Sequence, residues 1–270
     1  MAVLDALADW PVDNVSAAVI DGAGIAELYG DSDRVYELAS VTKLLVAAAV
    51  LVAVEEGAVE LDDPAGPPGS TVAHLLAHAS GLAFDSRTVM APPATQRIYS
   101  SAGFEVLAET VQAAAGIEFA EYLRQSVSEP LGMSATALAG PAGHGARSSV
   151  ADLARFAVDL LAPTVLSSQM LTQATQVAFP GLDGFVPGYG KHKPNDWGLG
   201  FEIRGHKHPH WTGASNSPET FGHFGQSGTF LWVDPSVGGA CVVLTDRPFG
   251  AWAKPLWSEF NDVVRRTMGG

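Results

Sequence analysis

Two short apolar runs, Val15 to Ile20 and Ile25 to Tyr29, are separated by Asp21-Gly22-Ala23-Gly24, and this combination predicts a β-hairpin near the start of the chain. A third short run covers Val35 to Leu38. The pattern then changes. From Ser40 to Glu56 the chain is almost continuously Ala, Leu and Val, ended by Gly57, which predicts a buried helix with a glycine stop and with Ser40 near its N-terminus. Helical spacing recurs over Val72 to Ala79, Ala102 to Ala115, Phe119 to Ser128 and Ala151 to Leu161, punctuated by Gly, Pro and Ser. Strand-like composition returns at Leu199 to Ile203, Gly228 to Val233 and Gly239 to Thr245, and Trp252 to Met268 reads as a closing helix. Strands at both ends with helices between them predict a single sheet assembled from both termini. The stretch Phe179 to Asn195, rich in Gly and Pro, is read as a long loop, either bordering a functional site or making an ordinary surface excursion.

Composition narrows the possibilities. At 270 residues and 47% hydrophobic content, one domain or two closely packed lobes is expected. A net charge of -14 repels nucleic-acid phosphates and anionic membranes, so neither is expected as a partner. The single cysteine, Cys241, lies in the apolar stretch Ala240 to Leu244 and reads as a core thiol, and it rules out an internal disulfide. The longest apolar run, Leu44 to Val54, is too short for a bilayer. The first residues, MAVLDALADWPVDN, lack the basic and apolar blocks of an export signal, so a cytoplasmic location is expected.

Ser40-Val41-Thr42-Lys43 carries the candidate chemistry. Residues three apart are neighbours on a helix surface, so a hydroxyl and an amine would share the first turn. Burial beside the apolar run would lower the lysine pKa and make the amine a usable base. The helix N-terminus would favour negative charge at Ser40. Alone, the pattern reads more readily as a helix-capping serine followed by a solvated lysine. Other candidates are weaker. His206-Lys207-His208-Pro209-His210 could place alternating histidines on one face for a metal, but Pro209 and the lack of nearby Cys, Asp or Glu favour an exposed hairpin loop. Asp62 and Asp63 are adjacent and point apart, and His74, His78 and His144 read as packing or surface residues.

The serine and lysine are joined, in order, by "HLLAHASGL" from His74, "YSSAGFEVLAETVQAAAG" from Tyr99, "PLGM" from Pro130, "GARSSVADLARFAVDLL" from Gly145 and "GHFGQSGT" from Gly222. Together these resemble the class C β-lactamase and serine penicillin-binding protein superfamily over nearly the whole chain. The resemblance implies an α+β fold (an α/β sandwich): an antiparallel sheet with flanking helices, about residues 1–62 and 196–270, and an inserted, mainly helical lobe, about 63–195. It implies Ser40 as nucleophile, Lys43 and Tyr99 as proton relay, and His223 facing them from the strand His223-Phe224-Gly225. It also implies an oxyanion hole from the backbone N–H groups of Ser40 and Gln226. No metal or organic cofactor is implied.

Two positions depart from the family pattern. Ser101 stands where the Tyr-x-Asn element has asparagine, and its shorter side chain lacks the amide donor and acceptor. Phe224 stands where a threonine hydroxyl would bind a substrate carboxylate, and His223, with an ordinary pKa of about 6.5, attracts that carboxylate less than lysine would. Ser101, Phe224 and Gly225 are thus expected to contact substrate, with glycine letting the acyl group lie close to the strand. The expected activity is that of a carboxylesterase on a small ester or lactam, with weak β-lactamase activity. A β-lactamase, a D-Ala-D-Ala carboxypeptidase and a noncatalytic ligand-binding relative are the alternatives, and the oligomeric state is left open.

Overall fold

The computed structural model describes residues 3–268. Its main sheet has six antiparallel strands. The N-terminal hairpin supplies β1 (Val15–Asp21) and β2 (Gly24–Tyr29). Two small strands, β3 (Val35–Glu37) and the later β4 (Ala137–Leu138), pair with β5 (Ala146–Ser149) in a separate sheet, and β6 (Gly184–Val186) pairs with β7 (Gly190–His192) as a hairpin. The C-terminal third supplies β8 (Glu202–Ile203), β9 (Phe221–Gly225), β10 (Thr229–Asp234) and β11 (Gly239–Thr245). The order β2-β1-β11-β10-β9-β8 puts the two chain ends side by side at β1 and β11, as the sequence pattern predicts.

Alternation along these strands builds two cores, because successive side chains leave opposite faces of a sheet. Ala18, Ile20, Leu231, Val233, Val242 and Leu244 face one core, and Ala17, Val19, Phe230, Trp232, Cys241 and Val243 face the other. Cys241 is fully buried, and desolvation pushes its thiol pKa up, as suits a structural residue. Among the described residues, seven α-helices flank or extend this sheet: α1 (Thr42–Glu55), α2 (Val72–Leu76), α3 (Ser101–Ala115), α4 (Phe119–Leu123), α5 (Val150–Leu161), α6 (Ser168–Ala174) and α7 (Ala253–Met268). The stretch read as one helix over 119–128 ends as α4 and continues as a π-helical turn. The amphipathic α5, placed by sequence in the helical stretch, packs instead against β1, β10 and β11. The closing α7 covers the opposite face with Trp257, Phe260 and Val264. No helix among the described residues is long and apolar enough to cross a membrane.

The element that positions the site is α1. It is apolar on all sides and buried on all sides, from Thr42 through Leu51, between the sheet and α3. Its entry is closely packed. Ala39 adopts φ +45°, a left-handed conformation that an alanine holds only under local constraint, at a cost of about 1–3 kcal/mol. The constraint is visible: Leu38 N–H donates to Ala146 O at 3.0 Å, while Leu38 O accepts from Thr229 Oγ1 at 2.9 Å and from Val41 N–H at 3.2 Å. Gly225 closes the arrangement, because a Cβ there would overlap Leu38 O and Thr229 Oγ1 and press on Ala39. The glycine thus admits the chain that carries Ser40.

Gly225→Ala is expected to destabilise the protein by about 1–3 kcal/mol, the usual range for forcing atoms into a packed interior. Gly22, whose added Cβ would meet nothing within 4 Å, is the matched control. Denaturant unfolding of Gly225→Ala and Gly22→Ala checks this, and equal midpoints would show that the close approach at Gly225 carries no strain.

Candidate active site

Ser40 sits in the 3-10 turn Ala39–Val41 that leads into α1, and Lys43 follows one turn later with a fully buried side chain. The ammonium nitrogen lies 3.3 Å from Ser40 Oγ, 3.1 Å from Ser101 Oγ and 2.7 Å from Gly143 O. Burial brings the Lys43 pKa down to about 7, against a smaller opposing pull from Glu105. Near neutral pH a large share of Lys43 is therefore an uncharged amine with two N–H donors and one lone pair. Gly143 O can only accept, and Ser101 Oγ readily accepts the second N–H. That leaves the lone pair for Ser40, the geometry a base needs. Gly143 is itself fixed, since Glu105 accepts the N–H groups of Ala142 and Gly143 at 3.0 and 2.7 Å.

Tyr99 reaches the same serine from the loop before α3. Its hydroxyl donates to Ser40 Oγ at 2.7 Å and lies 3.2 Å from His223 Nε2. His223 Nδ1 lies 2.7 Å from Phe224 O, which can only accept, so the neutral ring carries its proton on Nδ1 and presents a bare Nε2 to Tyr99. Burial first, then the nearby Lys43 charge, lowers the His223 pKa to about 3, which keeps the ring uncharged. Burial likewise pushes the Tyr99 pKa far up, so the phenol keeps its proton and chooses between two acceptors, Ser40 Oγ and His223 Nε2.

The structure thus brings Ser40, Lys43, Tyr99, His223 and Ser101 together. Ser101, expected to contact substrate, accepts a hydrogen bond from Lys43 and keeps its own O–H to donate. Phe224 is a correction. On β9, Phe221 joins the core shared with α1, whereas Phe224 joins the opposite core among Tyr189, Trp211, Phe249 and Trp257. Strand alternation sends its side chain away from Ser40, so it neither contacts substrate nor occupies a carboxylate site. Gln226 begins the tight turn after β9, where its carbonyl accepts from Phe249 N–H at 2.9 Å and Gly228 N–H bonds Gly225 O at 3.0 Å.

Several supports were not apparent in sequence. His78, read as packing or surface, is buried with φ +54°, and its ring lies 4.6 Å from both Tyr99 and Trp197. Its Nδ1 accepts Ser100 N–H at 3.1 Å and its carbonyl accepts Ile98 N–H at 2.9 Å, so it grips the chain on both sides of Tyr99. Arg97 donates to four carbonyls, of Ala77, Ala178, Phe179 and Asn195, at 2.6–3.0 Å, and so pins the 179–195 segment to the strand leading into Tyr99. That segment is the β6–β7 hairpin with its flanks, and it borders a cleft lined by Tyr99.

The 206–210 stretch is also corrected. His206 and His208 are exposed, but Lys207 and His210 turn inward onto buried Glu202, at 2.9 and 3.1 Å from Oε1, while Trp211 Nε1 donates to Oε2 at 2.8 Å. This is an ion pair with its donors, not a metal site or an exposed hairpin. Burial alone would raise the Glu202 pKa, but Lys207 and His210 together hold it well below the usual carboxylate range. Burial keeps His210 neutral, with a pKa of about 4. Among the described residues no three His, Cys, Asp or Glu groups are placed to hold a metal.

Glu202→Gln is expected to cost about 3–5 kcal/mol in denaturant unfolding at pH 7, because it strands the Lys207 ammonium in the interior. A loss below about 1 kcal/mol would mean that the pair contributes no more than a surface salt bridge.

A family model described as Beta-lactamase matches residues 12–261. A solved structure of a beta-lactamase from Mycobacterium bovis is 60% identical, with a TM-score of 0.98 and 99% of each chain covered. The D-alanyl-D-alanine-carboxypeptidase/endopeptidase AmpH of Escherichia coli (strain K12) is 25% identical over 141 residues, covering 38% of this chain. That match spans only 37% of AmpH. EstCE1, a hydrolase with promiscuous acyltransferase activity, is 14% identical with a TM-score of 0.80, covering 97% of this chain and 96% of its own. At that identity the likeness shows the fold alone.

Proposed function

The chain belongs to the beta-lactamase family of serine hydrolases, and we propose that it is a carboxylesterase working through an acyl-enzyme on Ser40. Uncharged Lys43 takes the Ser40 proton as Oγ attacks the ester carbonyl, and the Ser40 and Gln226 backbone N–H groups hold the resulting oxyanion. The proton passes through Tyr99 to the departing alcohol, leaving an ester on Ser40. Water, deprotonated by the same pair, then releases the acid and restores the serine.

The observation that carries the choice of ester is the state of His223. β-Lactams and D-Ala-D-Ala peptides bring a carboxylate to be anchored, and His223 offers neither charge nor a free donor for it. Its ring is neutral, Nδ1–H is directed to Phe224 O and Nε2 faces Tyr99. This replaces the support that Phe224 was expected to give. The description of the Mycobacterium bovis relative as a beta-lactamase favours a second reading, lactam hydrolysis on the same serine. A noncatalytic relative is disfavoured by the 2.7 Å bond from Tyr99 to Ser40 and the lowered Lys43 pKa.

The test is turnover of ethyl acetate and of a chromogenic cephalosporin by wild type and Ser40→Ala. Ester turnover is expected, with kcat/KM reduced at least about a thousandfold in Ser40→Ala. Equal turnover by the variant would overturn the nucleophile, and a kcat/KM for the cephalosporin above that for any ester would establish the second reading instead.

The pH dependence has a definite sign. Lys43 must be unprotonated to act as base, so kcat/KM for a neutral ester should rise with pH to a plateau, with a midpoint of about 7. A profile flat from about pH 5.5 to 8.5, or one that falls as pH rises, would exclude Lys43 as the base.

A further inference from the structure

Phe84 stands between two clefts. One, of about 680 Å³, is lined by Phe84, Ile98, Tyr99, Phe185 and Pro187, with Asp183 and Lys191 also on its wall. The other, of about 430 Å³, is lined by Ser101 with Asp85, Arg87, Glu105 and Glu109. Apolar and polar groups line both clefts; the first is distinguished by the exposed ring of Phe185 beside Phe84, the second by the carboxylates of Asp85, Glu105 and Glu109. Both volumes fall within the range of pockets that enclose small ligands.

The apolar wall is unusually open to water. Phe84 is 55% exposed and Phe185 65% exposed, in a chain that buries most of its other aromatic side chains. The Phe84 ring stacks on Tyr99 with centroids 5.9 Å apart, so the exposed surface is continuous with the candidate site. Phe185 is held on the β6–β7 hairpin, whose base is fixed by Arg97 N–H donating to Asp183 O at 2.9 Å. The two phenylalanines are therefore presented by well-tethered backbone. An exposed apolar surface on a cleft is what an apolar ligand group covers.

We propose that this cleft binds the alcohol portion of the substrate, and that the enzyme prefers neutral esters with a long or bulky apolar alcohol and a short acyl group. The assignment rests on the esterase reading above. Tyr99 delivers the proton to the departing alcohol, so that oxygen lies beside Tyr99 and the group attached to it extends into the cleft that Tyr99 lines. The acyl group extends toward Ser101 and the charged cleft, where added methylenes gain nothing. Phe84 and Phe185 then set specificity without touching the reacting atoms.

Two homologous series measured with the purified protein separate these statements. In n-alkyl acetates from ethyl to octyl the leaving alcohols have nearly equal intrinsic reactivity, so chain length reports binding alone. We expect kcat/KM to rise with each methylene, by up to about fourfold, until the cleft is filled. In ethyl alkanoates from acetate to octanoate it should stay level or fall. In Phe185→Ala and Phe84→Ala the ratio of kcat/KM for octyl acetate to that for ethyl acetate should drop about tenfold or more. Because the ratio is taken within one preparation, a partly unfolded variant does not imitate the effect. A level alkyl acetate series, a rising alkanoate series, or an unchanged ratio in both variants would overturn the proposal. If ethyl acetate is turned over and Ser40→Ala abolishes it, those outcomes leave the esterase reading standing. If Ser40→Ala retains full ethyl acetate turnover, the reading itself fails.

Discussion

The structure depends on holding the Lys43 amine in a place where an ammonium ion is unwelcome. A lysine side chain is seldom fully buried, because taking its charge out of water is costly. Here it leaves the first turn of a helix that is buried on every side, and the side chain itself is fully buried. The fold responds by giving the nitrogen three oxygen neighbours, Ser40 Oγ, Ser101 Oγ and Gly143 O, and no carboxylate among them. The nearest carboxylate with an influence, Glu105, is used to fix the loop that carries Gly143. Taking the ammonium out of water is what moves the Lys43 pKa down to about 7, against a smaller opposing pull from Glu105.

The remaining parts of the site can be understood as what that arrangement requires. The serine must approach from a strained turn, and Ala39 is held in it by Leu38, Thr229 and the missing Cβ of Gly225. The tyrosine must come from the other side of the cleft, and His78 and Arg97 grip the chain before and after it. His223 must stay uncharged, since a second cation beside Lys43 would compete for the same scarce negative potential. Its own backbone-bound proton and its burial ensure that. Helix, loop and strand thus each contribute one group, and each group is set by backbone contacts that the reacting side chains do not supply. Such rigid support is what preorganised sites rely on.

Much of this was legible in sequence, and the parts that were not share a cause. The termini-paired sheet and the buried α1 follow from hydrophobic pattern, which reports averages over many residues. The grouping of Ser40, Lys43, Tyr99 and His223 followed from ordered motifs. Phe224 departs from expectation because a motif of three adjacent residues does not show the period of two along a strand, which separates Phe224 from His223 and Gly225. Ala39 gave no signal, because a positive φ imposed by neighbours leaves no mark on an alanine. Lys207 and His210 read as a solvated loop because their partner, Glu202, is isolated among apolar residues and becomes visible as a counter-charge only when the chain folds. The purpose of Gly225 is hidden for the same reason, since Leu38 and Ala39, which need its space along with nearby Thr229, lie at the far end of the sequence.

If Ser40 is made nucleophilic by its neutral lysine neighbour, covalent labelling should report it. Treating the protein with a fluorophosphonate at pH 6 and at pH 8, then mapping the adduct by peptide mass spectrometry, should place the label on Ser40 and show faster labelling at pH 8. Lys43→Met should slow that labelling severely while the protein remains folded. Label on another residue, or Ser40 labelled at the same rate at both pH values and in Lys43→Met, would contradict the account.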